Sequence, residues 1–380
     1  MLDKISVKNF KSIDQLNVNL TNLNILSGIN NSGKSSFIQS ILLFKSLRGN
    51  QQSVNLNNEY IELGTVEDIL FEGGGDTFEI EFTGLDQRAN FIFKSKSKKQ
   101  DYLDFAPNIK NTNERYTLPN NKTIPKVLME LEYLKAERVG PKVTQQRNSY
   151  CVAEQKSIGV SGEYSYEYLT NFINEKLTYI QNRAHIEAQD SILGTQLTYW
   201  LREICPNIKI ESKLLENTNL STTSFSLESQ FGSSKQYRPT NVGFGLSYVL
   251  PVVLLCLKAK PGQLIIIDTP EAHLHPRGQF KIGELLAKTA ADGVQLIIET
   301  HSDHIINGIR LAVVEGFLEY QQTNFLFFSL TQKKNRLTYS TKIQIPKLNE
   351  LGQFDFWPDG FFDQWNQSIK KLIMKQLKND

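Results

Sequence analysis

Leu23-Asn-Ile-Leu-Ser-Gly28-Ile-Asn-Asn-Ser-Gly33-Lys34-Ser35-Ser36 is an apolar run that enters a glycine-bounded loop and leaves it as a helical pattern. Leu23, Ile25 and Leu26 are β-like, whereas Phe37, Ile38, Ile41, Leu42 and Leu43 recur at helical spacing. Gly28 and Gly33 bracket Ile29, Asn30, Asn31 and Ser32, so the backbone is free to turn its N–H groups inward. A helix beginning near Lys34 points the positive end of its dipole at the same place. This is the form of a triphosphate-binding loop. Lys34 reaches the β- and γ-phosphates and the Ser35 hydroxyl ligates Mg2+, with Asn30, Asn31, Ser32 and Ser36 in the cradle.

Composition limits what surrounds such a loop. A chain of 380 residues, 40% hydrophobic and 10% aromatic, is able to bury a sizeable core. Its length suits roughly two or three lobes. Forty-two Lys and Arg against 40 Asp and Glu leave a formal charge of +2, so any DNA contact must be local. Cys151, Cys205 and Cys256 follow no metal or redox spacing, which suits buried thiols in a reducing cytoplasm. The amino-terminal residues alternate polar and apolar and do not resemble a signal segment. The most apolar stretch, Tyr248 to Leu257, is too short to span a bilayer and carries Pro251. The expectation is a soluble, cytoplasmic protein with no membrane partner.

Residues 1–100 read as an amino-terminal lobe. Ile5 to Ile13 and Leu16 to Leu20 are period-two runs that predict a hairpin feeding the strand before the loop. A polar segment, Arg48 to Asn58, separates the loop helix from strands predicted at Tyr60–Gly64, Phe78–Phe82 and Asn90–Phe93, which together predict a mixed sheet around the nucleotide. The basic run Lys94 to Lys99 reads as a solvated hairpin tip, with a DNA-backbone contact as the alternative. Residues 101–235 read as an inserted helical and β region. Tyr168, Leu169, Phe172, Ile173 and Leu177 mark one helix, Ser191 to Cys205 a second that Pro206 stops, and Ile208–Ile210 and Thr223–Leu227 short strands. No sustained heptad repeat predicts a long coiled coil.

Residues 236–380 return to chemistry. Gln263-Leu-Ile-Ile-Ile267-Asp268-Thr269-Pro270-Glu271 is a buried strand ending in a carboxylate, predicted to lie beside the loop strand with Asp268 on the Mg2+ side. A helix over Gln279–Ala291 and a second buried strand, Val294 to His301, make a βαβ pattern and hence a parallel sheet. His301 then sits at a strand's carboxyl end, in register with Asp268, as a candidate γ-phosphate sensor. Asn241, Gly243, Gly245 and Ser247 open an apolar helix whose N–H groups suit a phosphate. His273 and His275 have no companion cysteine and shape the loop after the Asp268 strand, with zinc as the alternative. Gly352 to Asp363 gathers aromatics around a turn as a packing cap, with a docking surface as the alternative.

The ordered set resembles the ABC-type ATPase heads of the RecF, SMC and overcoming-lysogenisation-defect kind. The residues that carry it are Ile5-x-Val7-x-Asn9-Phe10-Lys11-Ser12, Gly28-x4-Gly33-Lys34-Ser35, the Asn241–Gly245 helix start, Asp268-Thr-Pro270-Glu271-Ala-His273-Leu-His275-Pro276 and Glu299-Thr-His301-Ser-Asp303. More narrowly the chain is similar to small bacterial ATPases of defence operons that add Ala136-Glu-Arg138-Val-Gly140-Pro141, Gly162-Glu163-Tyr164 and Trp357-Pro-Asp-Gly360-Phe-Phe-Asp363. The resemblance implies an α/β P-loop head with a mixed central sheet and flanking helices, split by the helical/β insertion. It implies ATP and Mg2+ as cofactors, Lys11 at the nucleotide, and a homodimer or higher oligomer in which Lys34 and Ser35 of one copy face residues 241–247 of another. It further implies a switch that controls a separate effector such as a nuclease, in antiphage defence or DNA metabolism, with DNA as a possible ligand. The chain carries no acidic cluster of a nuclease kind.

One departure stands out. Where such heads place a water-polarising Glu directly after the strand Asp, this chain has Thr269, and Glu271 is the substitute base. Asn241 or Ser247 stands in for the signature serine, and no glutamine is assigned to the Mg2+-sensing loop. A non-hydrolysing ATP-dependent scaffold is the alternative function. A transporter's nucleotide-binding subunit fits less well, because Leu-Ser-Gly-Gly-Gln is lacking.

Overall fold

Strand β1 (Lys4–Phe10) pairs antiparallel with β2 (Ile13–Asn19), from Lys4↔Asn19 to Phe10↔Ile13, and Ile5, Val7, Phe10, Ile13, Leu16 and Val18 all turn into the core. The computed structural model describes residues 1–45, 53–84, 87–94, 97–111, 126–332 and 338–361. Part of the polar segment that begins at Arg48, Ser95 and Lys96 of the basic run, and Phe362-Asp363 lie outside the described residues.

Strand β3 (Leu23–Gly28) leads through the glycine loop into helix α1 (Lys34–Leu42). Next come β4 (Ser53–Asn55), the one-turn helix α2 (Val66–Ile69), β5 (Thr77–Gly84), β6 (Gln87–Lys94) and β7 (Tyr102–Asn111). These strands form a sheet in the order β2-β1-β5-β6-β7-β4 in which every pairing is antiparallel. The prediction of a mixed sheet around the nucleotide in this lobe is therefore corrected. Hairpin connections this short join only antiparallel neighbours, and β3 leaves for a different sheet. Tyr60–Gly64 forms no strand either; among the described residues it contributes one isolated bridge, Asn57↔Glu62.

After the one-turn helix α3 (Lys126–Met129) and β8 (Glu132–Leu134), the chain builds a smaller sheet from β9 (Thr144–Gln146), β10 (Ile208–Leu214), β11 (Leu220–Ser229) and β12 (Gly232–Ser233). Helices α4 (Ser165–Phe172) and α5 (Leu193–Arg202) occupy the two stretches where helical spacing predicts them. The apolar helix α6 (Phe244–Lys258) follows; it is apolar on all sides because it is buried on nearly all sides.

The central sheet comes last in the chain's logic but carries the site. Strand β13 (Leu264–Asp268), helix α7 (Pro276–Ala291), β14 (Gln295–Glu299), helix α8 (Asp303–Val314), β15 (Thr323–Gln332) and β16 (Tyr339–Gln344) complete the order β16-β15-β3-β14-β13-β8. All neighbours are parallel except the β15–β16 pair, so the central sheet is mixed, as predicted. The strand ending in Asp268 is not beside the loop strand: β14 lies between them. Buried polar groups fix that order. Asn24, fully buried, donates to Leu296 O at 3.0 Å, and Gln295 brackets Leu2, accepting from its N–H at 2.8 Å and donating to its carbonyl at 2.7 Å.

The central sheet is a wall between two cores. Leu23, Ile25, Ile265, Ile267, Leu296, Ile298, Phe325 and Phe327 face one, shared with α4 to α8. Leu26, Leu264, Ile266, Ile297, Leu326 and Phe328 face the other, shared with α1 and the antiparallel sheet. Burial on both faces is why these strands read as unbroken apolar runs. The aromatic cap packs on β15, with Phe354 at 4.8 Å from Phe325, Phe361 at 5.7 Å from Phe327, and Arg310 over Trp357. The longest described helix, α7, has 16 residues, so no long coiled coil is present among the described residues. No described helix is long and apolar enough to cross a membrane.

Candidate active site

The carboxyl ends of β3, β14 and β13 bring the phosphate loop, Glu299 and Asp268 together by strand order, and parallel register sets their level: Leu26 opposite Glu299, and Glu299 opposite Asp268. The ladder continues past the strand ends, with Thr269 N–H donating to Glu299 O at 2.8 Å and Thr300 N–H to Leu26 O at 3.0 Å.

Three residues of the loop take positive φ: Gly28 (134°), Asn31 (62°) and Gly33 (104°). At Gly28 a Cβ would stand 2.1 Å from the Phe328 carbonyl oxygen, and at Gly33 2.2 Å from Thr341 Oγ1, so both glycines are required by close approach as well as by φ. The loop is braced from below. Thr341 Oγ1 on β16 donates to Ser32 O at 3.0 Å and lies 2.9 Å from Ser12 Oγ. Ser32 is buried, and its hydroxyl has no partner among the described residues.

Lys34 is buried, and its Nζ donates to the loop carbonyls of Gly28 and Ile29, both at 3.0 Å. Glu299 Oε1 is 3.8 Å from that ammonium, and Ser35 Oγ donates to Glu299 Oε2 at 3.4 Å. Desolvation lowers the Lys34 pKa, while Glu299 and Asp268 oppose the shift. Desolvation and the neighbouring Asp268 push the Glu299 carboxyl up to about 7. Burial raises Asp268 as well, against the pull of Arg138. Burial is the first cause of all three shifts, and at Glu299 the like charge of Asp268 adds to it.

Behind the strand ends stands Arg138, just past β8, 4% exposed. Its Nη2 donates to the carbonyls of Asp268 at 2.5 Å and Thr269 at 2.9 Å, and Nε and Nη1 have no partner among the described residues. Desolvation lowers its pKa to about 10. Arg138 thus clamps the point where the chain leaves β13 and Thr269 takes φ 44°. Glu271 turns the other way. Its Oε1 accepts the His301 N–H at 2.8 Å, which ties this loop to the segment after β14, and the carboxyl is buried, so desolvation raises its pKa against the His301 N–H and Thr300. The His301 ring is exposed, with its pKa lowered by partial burial and by Lys34.

The other predicted residues lie in two places. Lys11, with φ 51°, donates from Nζ to Gln39 Oε1 on α1 at 3.0 Å. Asn30 is exposed on the loop and Ser36 is half-buried on α1. Asn241, Gly243, Gly245 and Ser247 lie at the start of α6, which meets the loop after β13: a Cβ on Gly245 would lie 2.6 Å from His273 O, and Tyr248 meets the His273 ring edge-on at 4.5 Å. Ser247 is buried, its hydroxyl without a partner among the described residues, whereas a Cβ on Gly243 would meet nothing within 4 Å. His275 caps α7, its Nδ1 accepting from Arg277 N–H at 3.3 Å ahead of Pro276.

Sequence reasoning assigned no role to Glu299, Arg138 or Thr341. The signal for Glu299 was its place at the end of a second apolar strand, equivalent to that of Asp268. Arg138 was visible only inside a motif, and Thr341 carries no sequence signal at all.

The sequence profile of the AAA ATPase domain family matches residues 1–137 and 92–306, and that of a protein of unknown function (DUF3696) matches residues 318–372. No curated protein matches the chain. Among solved structures, an SMC head bound to the C-winged helix domain of ScpA is 11% identical, with 91% of this chain and 98% of that one covered at a TM-score of 0.51. An Smc head domain with an extended coiled coil, bound to the C-terminal domain of ScpA and derived from Pyrococcus furiosus, is 11% identical, with 91% and 96% covered at 0.50. At such identity the likeness is one of fold: the chain has the fold of an SMC head.

Proposed function

The chain belongs to the AAA ATPase domain family, and from that premise we propose that it binds Mg2+ and ATP at the ends of β3, β14 and β13 and hydrolyses ATP as a conformational switch. One observation carries this reading: a buried lysine, a serine hydroxyl and two carboxylates converge under a loop whose positive-φ backbone suits phosphate. Ser35 and Asp268 offer hard oxygen donors, which fit Mg2+, and the Ser32 hydroxyl, without a partner among the described residues, fits a polar ligand in the loop. Bound Mg2+ neutralises charge on the phosphates. Lys34 exchanges loop carbonyls for phosphate oxygens, Asp268 and Ser35 hold the metal side, and Glu271 orients and deprotonates water from the loop that it shares with the His301 segment. Asn30, Asn31, Ser32 and Ser36 line the loop, and Lys11 supports α1.

Two copies close around ATP, with residues 241–247 of one against the phosphate loop of the other. Phe244, 59% exposed although its ring meets Tyr248 and His273, and Gly243, where an added Cβ would meet nothing within 4 Å, support this from the start of α6. Hydrolysis releases the pair and signals to a separate effector, a nuclease in antiphage defence or DNA metabolism. SMC heads caught with ScpA domains support a protein partner for a head of this fold. Residues 101–235 serve as the inserted region between the lobes.

The test is steady-state ATP turnover with Mg2+, with and without duplex DNA, for the wild type, Lys34→Ala and Glu271→Gln, alongside mass by light scattering. Turnover lost in both variants, with Glu271→Gln still dimerising on ATP, is the expected result. ATP-induced dimerisation with no wild-type turnover favours a scaffold held by ATP, for which Thr269 and the engagement of Glu271 with His301 N–H already speak.

A further inference from the structure

We infer that Glu299 is a second metal-side carboxylate of this site, supplying from β14 the negative charge that Thr269 does not supply from β13. This rests on the ATP reading above and assigns Glu299 a role within it.

Register comes first. Asp268 and Glu299 are paired across adjacent parallel strands, so their side chains leave the sheet on the same face and at the same level. Glu299 is also paired with Leu26 of the phosphate-loop strand, which puts it one strand nearer the loop than Asp268. Its contacts agree. The Ser35 hydroxyl, the metal ligand of such a loop, donates to Oε2 at 3.4 Å, and Lys34 Nζ is 3.8 Å from Oε1.

Satisfaction comes second. An ionised carboxylate offers about four acceptor positions, yet among the described residues the side chain of Glu299 meets only that long hydroxyl bond and that distant ammonium, while buried to 5% exposure. Glu271 is not its equivalent, because one oxygen of Glu271 is already committed to the His301 backbone.

Charge comes third. Asp268 and Glu299 both face the place where Lys34 must meet a phosphate, so a triphosphate arriving without a cation is repelled by both carboxylates, and a divalent cation relieves the repulsion. ATP affinity should therefore depend steeply on Mg2+, and Glu299 should carry much of that dependence.

The test is equilibrium binding of ATP to the full chain in Mg2+ and in EDTA, for the wild type, Glu299→Gln and Glu299→Asp, with Mn2+ bound in the presence of a non-hydrolysable ATP analogue read by electron paramagnetic resonance. The expected result is opposite in sign in the two media. Glu299→Gln binds the metal–ATP complex and Mn2+ at least about tenfold more weakly, and binds metal-free ATP more tightly than the wild type. A merely structural role weakens both alike. If Glu299→Gln does not fold, Glu299→Asp gives the same reading, with Mn2+ affinity reduced while the charge is kept. A wild type that binds ATP with Mg2+ dependence shared unchanged by Glu299→Gln and Glu299→Asp overturns the inference alone. A wild type that binds no ATP in either medium overturns the nucleotide site and the inference with it.

Discussion

The two six-stranded sheets bury their side chains by different rules. In the antiparallel sheet, β5 alternates, with Phe78, Ile80 and Phe82 inward and Glu79 and Glu81 outward. In the central sheet, β14 is buried at every position from Gln295 to Glu299, and the polar residue at its end is buried too. The first sheet satisfies its charges in water and its rings against one another. The second has to satisfy charge inside the molecule, at the strand ends, with partners drawn from β3, the β13 loop and the segment after β8. A charge that must be satisfied internally can respond to a ligand; a phenylalanine cluster responds only to volume.

Phe44 tests the apolar side of that contrast most severely. It follows α1 and packs against Phe91 at 4.6 Å, Phe82 at 4.9 Å and Phe93 at 5.8 Å, so it joins the phosphate-loop helix to the antiparallel sheet. Phe44→Ala should cost about 3–5 kcal/mol in urea unfolding. ATP affinity of the folded fraction should stay within about threefold of the wild type, because the charged site shares no contact with the ring. A large affinity change at small stability cost would break the separation.

Arg138 tests the other side. Arg138→Met removes two hydrogen bonds to the carbonyls of Asp268 and Thr269 and should cost about 2 kcal/mol. Unlike Phe44→Ala, it should also lower ATP turnover, through the freed exit of β13; denaturation and turnover measured on one preparation check the pair of effects. Thr341→Val keeps shape and deletes the hydroxyl that holds Ser32 O and meets Ser12 Oγ. About 1 kcal/mol of stability and a few-fold in ATP affinity should go with it, by thermal melts and titration. The smallest effect belongs to the surface pair Arg88–Glu81, where Glu81→Gln should leave the melting curve and ATP binding indistinguishable from the wild type.

The same contrast explains what could be read from the residues. Period-two alternation reveals the face and pairing of β1, β2 and β5, because one side meets water. The phosphate loop is legible because Gly28 and Gly33 take positive φ and Lys34 and Ser35 follow them at fixed spacing. Strands buried on both faces reveal their existence and nothing of their neighbours. Hence the Asp268 strand was expected beside the loop strand, when β14 takes that place and carries Glu299 with it. The mixed sheet expected of the first lobe failed for a related reason: β3 looks continuous with the hairpin before it, and only tertiary pairing sends it elsewhere. Thr341 lies 309 residues from the carbonyl it holds, beyond any local pattern.

The most direct measurement of the account is calorimetric titration of Mg2+–ATP into the wild type and Lys34→Ala, with melting curves of both. The account expects saturable binding by the wild type and affinity at least about tenfold lower in the variant, with little change in melting temperature. Equal affinities in two equally folded proteins would contradict it, because the ammonium between the loop carbonyls and Glu299 would then not be the group that meets the phosphates.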